Sequence, residues 1–286
     1  MEYGQVIANG LMLGAIYACI AVGFSLVWGV LNVINMMHGS FIILGGYLTF
    51  FAWLHLKINP FAALLPVSAV LFILGYLVQY ILINRVVSRP VLTTLTLTFG
   101  LDMILYNFMN LGFTATPRRV VLDLGRVDLG GVILPLDRVV AMALALSLTG
   151  LLYLVMRTSR TGRAIVAVRM DRDAAALMGI RVNRVYAITF GIGAMMAGAC
   201  GALAAVIFPI TTSVTGLFLG KAFVICVIGG LGSVPGALVG GLALGLIESL
   251  SGHWLGPQSA ILAGFVIMLM LLIVRPTGLV GKKGYE

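Results

Sequence analysis

Charge is what this chain has least of. Only 9% of its 286 residues are Asp, Glu, Lys or Arg, against 61% hydrophobic, a balance that soluble globular domains do not reach. From Tyr3 to Leu56 there is no Asp, Glu, Lys or Arg at all. Cysteine is scarce too. Cys19, Cys200 and Cys226 sit singly in apolar runs without CxxC spacing, so neither a disulfide framework nor a thiolate metal site is implied. The three histidines, His38, His55 and His253, are scattered, and HExxH and GxSxG are both missing, which argues against an intramembrane protease or lipase. The nearest approach to a phosphate loop, Gly216-Leu-Phe-Leu-Gly220-Lys221-Ala222, has the wrong spacing and no following Ser or Thr. No catalytic residue, cofactor site or metal site is therefore expected on this chain.

What is present is apolar sequence in long continuous runs. Backbone groups in lipid must bond internally, and a helical crossing needs roughly 20 apolar residues, which allows about eight to ten helices. Short alternating segments, the mark of an outer-membrane barrel, are lacking. The expected fold is all-α: a polytopic transmembrane helical bundle with broken, Gly-rich helices, forming a single domain over residues 1–286. The net charge of +9 does not point to nucleic acid, because the basic residues cluster beside apolar runs, where lipid headgroups and the cytosolic face attract them. The N-terminal segment lacks a basic stretch and a small-residue cleavage site, so it reads as a retained first span.

Nine spans can be read in order: about Gln5–Val30, with a close-packing Gly10-x-x-x-Gly14 face; Phe41–Trp53; Phe61–Ile83; Val91–Phe113; Val139–Met156; Val185–Phe208; Gly216–Ile228; Ala237–Leu250; and Ser259–Val274. Polar or glycine-rich breaks interrupt two places. One is Asn32 to Ser40, including Asn35, His38 and Gly39. The other is Gly229-Gly230-Leu-Gly232-Ser233-Val-Pro235-Gly236, where glycine and proline oppose a smooth helix. Each break lies before a helix with paired glycines, and segments 11–53 and 216–250 read as an internal repeat of the kind transporters use to build a path. The alternative is that both are glycine-rich packing segments. Residues 114–137 form a polar connection compatible with a small hairpin around Gly130-Gly131.

Arg157 to Arg184 is the most polar stretch and holds seven of the 18 basic residues, against four in the 114–138 connection. The Ser88 turn, Arg275, Lys282 and Lys283 fall on its side. The positive-inside rule therefore places this loop (157–185) and the C-terminus in the cytoplasm and 114–137 outside. Within the loop, Asp171 or Asp173 can cap a short helix through Ala174, Ala175, Leu177 and Met178, and Gly179 can end it. Ala174, Leu177 and Met178 then make a small apolar knob ringed by Arg163, Arg169, Arg172 and Arg181, suited to a groove on a partner protein. Asp102 and Glu248 are the acidic residues deepest in apolar runs. They are either proton-relay groups or paired and capped near an interface.

Several motifs, in order and at matching spacing, resemble one family. They are Asn9-Gly-Leu-Met-Leu-Gly-Ala-Ile-Tyr17, Gly23-Phe-Ser-Leu, Val33-Ile-Asn35 with His38-Gly39, and Thr161-Gly-Arg-Ala164 through Met178-Gly-Ile180. Lys221-Ala-Phe-Val through Gly229–Ala237, Gly240-Gly241, Glu248 and Arg275-Pro-Thr-Gly-Leu279 complete the set. The chain resembles, end to end, permease subunits of bacterial high-affinity branched-chain amino acid ABC importers, the LivH type. That resemblance implies a multi-pass protein of the inner membrane working with a second homologous permease, two cytosolic ATPase subunits that hold ATP and Mg, and a periplasmic substrate-binding protein. It makes the Ala174–Met178 helix a coupling helix in an ATPase groove. It also makes Asn32, Asn35, His38, Ser233 and the Thr93, Thr94, Thr96, Thr98 face candidates for the substrate path. Related permeases carry urea, short amides or other amino acids. From other classes, an ion-coupled secondary transporter and a non-transporting scaffold compete.

Overall fold

The computed structural model describes residues 2–280 except 123, 129 and 276. Lys282 and Lys283, assigned above to the cytoplasmic side, lie outside the described residues. The chain forms α1 (Glu2–Leu31), α2 (His38–Leu56), α3 (Pro60–Ile81), α4 (Val91–Phe113), β1 (Arg126–Asp128), β2 (Ile133–Pro135), α5 (Leu136–Thr158), α6 (Arg160–Met170), α7 (Arg172–Leu177), α8 (Val182–Ile207), α9 (Thr215–Gly229), α10 (Val234–Leu255) and α11 (Pro257–Val274). Among the described residues, eight helices are long and apolar enough to cross a membrane, and Gln258–Val274 is a shorter apolar helix. The protein is an all-α polytopic bundle.

α1 and α8 form its centre: 89% and 94% of their apolar windows are buried, against 17% for α4 and 22% for α5. A helix that is apolar all round belongs inside such a bundle. α1 packs on α10, α8 packs on α3, α2 lies against α8, and α9 lies against α1. The reciprocal packing thus relates α1–α2–α3 to α8–α9–α10. This differs from the repeat expected from segments 11–53 and 216–250, because similar glycine content in α2 and α10 serves different seams.

Those seams are glycine contacts, as expected where helices associate without a hydrophobic driving force. A β-carbon on Gly245 would lie 2.4 Å from the α-carbon of Gly14, and one on Gly201 would lie 1.8 Å from the Ile42 carbonyl oxygen. β1 and β2 pair antiparallel with Val127 opposite Leu134, the hairpin foreseen around Gly130-Gly131. Gln5 fastens it to the start of α1, its Nε2 donating to the Ile133 carbonyl at 2.9 Å and its Oε1 accepting from the Ile133 amide at 2.8 Å. This defines the hairpin end of the bundle. The opposite end carries α6 and α7.

Candidate functional site

The first break begins where Asn32 takes the left-handed conformation, φ 52°. The chain then runs back along α1, so that α2 starts at the level of Ile20: His38 Nε2 donates to the Ile20 carbonyl at 2.9 Å. That bond leaves His38 Nδ1 a bare acceptor, and Asn35 Nδ2 is also without a partner. Both residues are fully buried. Asn35 Oδ1 accepts from the Met37 amide at 3.1 Å. Gly39 is not part of the break, as expected above, but of the first turn of α2. It is needed there for proximity, since a β-carbon would sit 2.3 Å from the Thr215 carbonyl oxygen.

Thr215 opens α9. Two helices therefore begin back to back at middle depth and diverge. α2 runs to the hairpin end, where Tyr47 donates to the Thr114 carbonyl at 3.3 Å. α9 runs to the α6 end. Neither start has a side-chain cap, so amide groups with partial positive charge remain at both. α4 covers this point with one face: Thr94, Thr98 and Asp102 are buried. Ser40 Oγ donates to Asp102 Oδ1 at 2.5 Å, and Thr98 donates to the Ile34 carbonyl at 3.0 Å. Thr93 and Thr96 are on the exposed side of α4, where they line an outward groove with Leu92, Gly100 and Ile104. The four threonines therefore do not form one face, because successive helical positions diverge by about 100°.

The second break is shorter than the glycine run suggested. Gly230 (φ 103°) and Gly232 (φ 76°) supply the left-handed turns, which glycine adopts without steric cost. Ser233 caps α10, accepting from the Gly236 amide at 3.1 Å, and Pro235 stands in its first turn, where its missing N–H costs nothing. Gly229 and Gly236 are helical and pack face to face, a β-carbon on Gly229 falling 2.0 Å from the Gly236 oxygen. The turn rests on the end of α1, with Gly29 against Gly232.

Two cavities flank that end of α1. One, of about 610 Å³, is lined by Leu26, Val30, Arg157, Arg169, Leu231 and Ser233, among others. The other, of about 320 Å³, includes Asn32, Arg89, Thr94, Arg169, Asp171 and Arg172. Asn32, Thr94 and Ser233 of the expected path residues thus line open space at the α6 end. Asn35, His38 and Thr98 are enclosed.

Both cavities are bounded by α6, a helix the sequence reading did not separate from its loop. Ser159 caps it, accepting from the Gly162 amide at 2.8 Å, and Ile165 and Val168 are buried beneath the bundle. The Ser159 cap and the Ile165/Val168 spacing were the available signals. Asp171, not Asp173, caps α7: its Oδ1 accepts from the amides of Asp173 and Ala174, both at 2.9 Å. The helix begins at Arg172 rather than Ala174 because that cap lies just before it. Gly179 (φ 83°) ends it, with the Ile180 amide donating to the Ala175 carbonyl at 3.1 Å, the six-to-one bond of a left-handed helix stop. Ala175 turns inward, while Leu177 and Met178 are 90% and 83% exposed. Arg163 belongs to another contact, donating to the Thr158 carbonyl at 2.9 Å at the end of α5.

Among the described residues two carboxylates are buried, Asp102 and Glu248, and both are paired. Besides Asp102 with Ser40, Glu248 Oε2 accepts from Lys221 Nζ at 2.8 Å and from Tyr17 at 2.7 Å. Lys221 was legible as part of a failed phosphate loop and of a motif of the resemblance, and neither shows that its partner is Glu248 on α10.

A family model described as branched-chain amino acid transport system / permease component matches residues 6–275. The chain is 33% identical to the high-affinity branched-chain amino acid transport system permease protein LivH of Escherichia coli (strain K12), over 99% of this chain and 96% of that protein. It is 32% identical to LivH of Salmonella typhimurium over the same shares. To the permease protein BraD of Pseudomonas aeruginosa it is 30% identical, over 100% of this chain and 98% of that protein. Among solved structures, PsaBC from Streptococcus pneumoniae in complex with Fab superposes with a TM-score of 0.54 over 96% of this chain and 93% of that one. At 10% identity that likeness is one of fold. By motif, architecture and full-length similarity together, the chain belongs to the branched-chain amino acid transport permease family.

Proposed function

We propose that this chain is the membrane-spanning subunit of an ATP-driven importer of branched-chain amino acids in the bacterial inner membrane. The hairpin end faces the periplasm, and the α6 end and the C-terminus face the cytoplasm. The observation that carries the reading is α7, a capped and stopped helix that shows two large apolar side chains to water beside the cavities at the broken helices. An ATPase groove would cover Leu177 and Met178, and α6 would transmit its movement to the end of α1 and the α9–α10 turn, shifting the bundle between two states. ATP and Mg then belong to two partner ATPase subunits. A second homologous permease completes the path, and a periplasmic binding protein delivers substrate.

At middle depth the uncapped starts of α2 and α9 suit a carboxylate, and Asp102, tied to Ser40 through one oxygen, suits an ammonium group. Leu26, Val30 and Leu231 in the larger cavity suit an aliphatic side chain leaving toward the cytoplasm.

The test is co-purification with the ATPase subunits and second permease, followed by ATP hydrolysis with binding protein and a panel of branched-chain amino acids, urea and short amides. Stimulation by leucine, isoleucine or valine supports the reading. Stimulation by urea or an amide instead overturns the substrate, and failure of any ATPase to co-purify overturns the coupling.

A further inference from the structure

The mid-membrane group Tyr17, Lys221 and Glu248 is not used by the transport reading, yet it carries the only ion pair among the described residues that is buried. One carboxylate oxygen receives both the ammonium and the phenol. Lys221 also touches the Tyr17 hydroxyl and lies 4.4 Å from the centre of its ring, a cation–π contact. Each partner stands on a different helix: α1, α9 and α10.

Stability does not account for this arrangement. Charges at the centre of a bilayer are costly, and a well-packed apolar pair of similar volume is often as stable as a buried salt bridge. What such a pair does best is fix register.

Apart from one neutral hydrogen bond, Ser249 Oγ to the Val6 carbonyl, the α1–α10 seam is held by contacts of small residues. α1 presents Gly10, Gly14 and Ala18, and α10 presents Ala237, Gly241 and Gly245, each set spaced by four. The backbones touch through them, a β-carbon on Gly241 meeting the Ala18 nitrogen at 2.3 Å. Sliding α10 along α1 by one turn, about 5.4 Å, would leave small residues against small residues. The reciprocal seam is different. There Leu71 and Phe72 of α3 sit in the hollows at Gly198 and Gly191 of α8, Asn84 just beyond α3 donates to the Asn183 carbonyl at 3.1 Å, and among the described residues no ion pair joins the two helices.

We propose that Tyr17, Lys221 and Glu248 are positioning residues that hold α10, and with it the Gly230–Ser233 turn, in register on α1. A one-turn slip would break both bonds to Glu248 Oε2 and carry Gly232 away from Gly29. The proposal concerns register and does not depend on which substrate is carried.

The test uses the full chain in its complex. Ser249 Oγ donates to the Val6 carbonyl at 2.6 Å, so cysteines at Val6 and Ser249 report the native register by cross-linking. In this background Lys221→Met/Glu248→Met should keep the bundle folded by thermal unfolding. It should lower cross-linking, and substrate-stimulated over basal ATP hydrolysis, by about tenfold. The exchanged pair Lys221→Glu/Glu248→Lys should restore both relative to either single exchange. Cross-linking and stimulation unchanged in the double Met variant would overturn the proposal. So would an exchanged pair no better than its singles, which also decides the matter if the double Met variant fails to accumulate. Absence of stimulation in the unaltered complex would instead count against the transport reading, while the cross-link still reports register.

Discussion

Replacing Leu177 by alanine removes most of the more exposed of two apolar groups at the tip of α7 without disturbing the permease itself. The side chain is 90% exposed and makes no hydrogen bond. A surface exchange of this kind shifts stability by about 0.5 kcal/mol or less, so unfolding of the isolated subunit should be unchanged. In the complex the same side chain would be fully covered, and covering a leucine contributes roughly 1.5–3 kcal/mol. Losing most of that weakens ATPase binding by about 10- to 100-fold, since each 1.4 kcal/mol is tenfold. Leu177→Asp should do more, because a carboxylate in an apolar groove must also lose its water. The assay is ATPase affinity for the subunit in lipid nanodiscs, paired with ATP-driven uptake in vesicles. An affinity within about twofold of the unaltered protein for both variants, a difference of roughly 0.4 kcal/mol, would refute docking through this helix.

Asp171→Ala removes the cap of α7 and should cost about 0.5–2 kcal/mol locally; faster hydrogen exchange confined to residues 172–178, together with poorer coupling, is the expected result. Ser40→Ala leaves Asp102 without its donor at a buried site and should destabilise the bundle by about 1–3 kcal/mol, read as lower thermal stability in detergent, with Ser40→Thr closer to the unaltered protein. Gly201→Leu drives a side chain into the Ile42 carbonyl and should abolish accumulation of folded protein. Gly201→Ala should already exceed the roughly 1–3 kcal/mol typical of overpacking, because the obstacle is backbone; gel filtration and unfolding measure both. In contrast, Gly216→Ala meets open space, and its yield should match that of the unaltered chain.

The apolar runs announced the bundle and most of its spans, because lipid leaves helices few alternatives. The Asp171 cap and the Gly179 stop were equally legible, since both are local geometry. Glycine was harder to read. Gly230 and Gly232 are bent as glycine allows, whereas Gly39, Gly229 and Gly236 are straight helix residues kept small by a neighbour on another helix, Thr215 for Gly39 and each other for Gly229 and Gly236. Thr94 and Thr98 separate from Thr93 and Thr96 only once α4 is seen to cover the first break with one side.

The loop of seven arginines, the broken helices and the family follow from residue order alone, because charge distribution, chain stiffness and motif spacing are properties of neighbours in sequence. The pairing of Lys221 with Glu248 and Tyr17, the meeting of α2 and α9 at middle depth, and the contact of Gly29 with Gly232 do not. Each joins residues on separate elements, and which elements touch is decided by packing of the whole bundle, where one glycine seam can be met by many partners and only the folded chain selects among them.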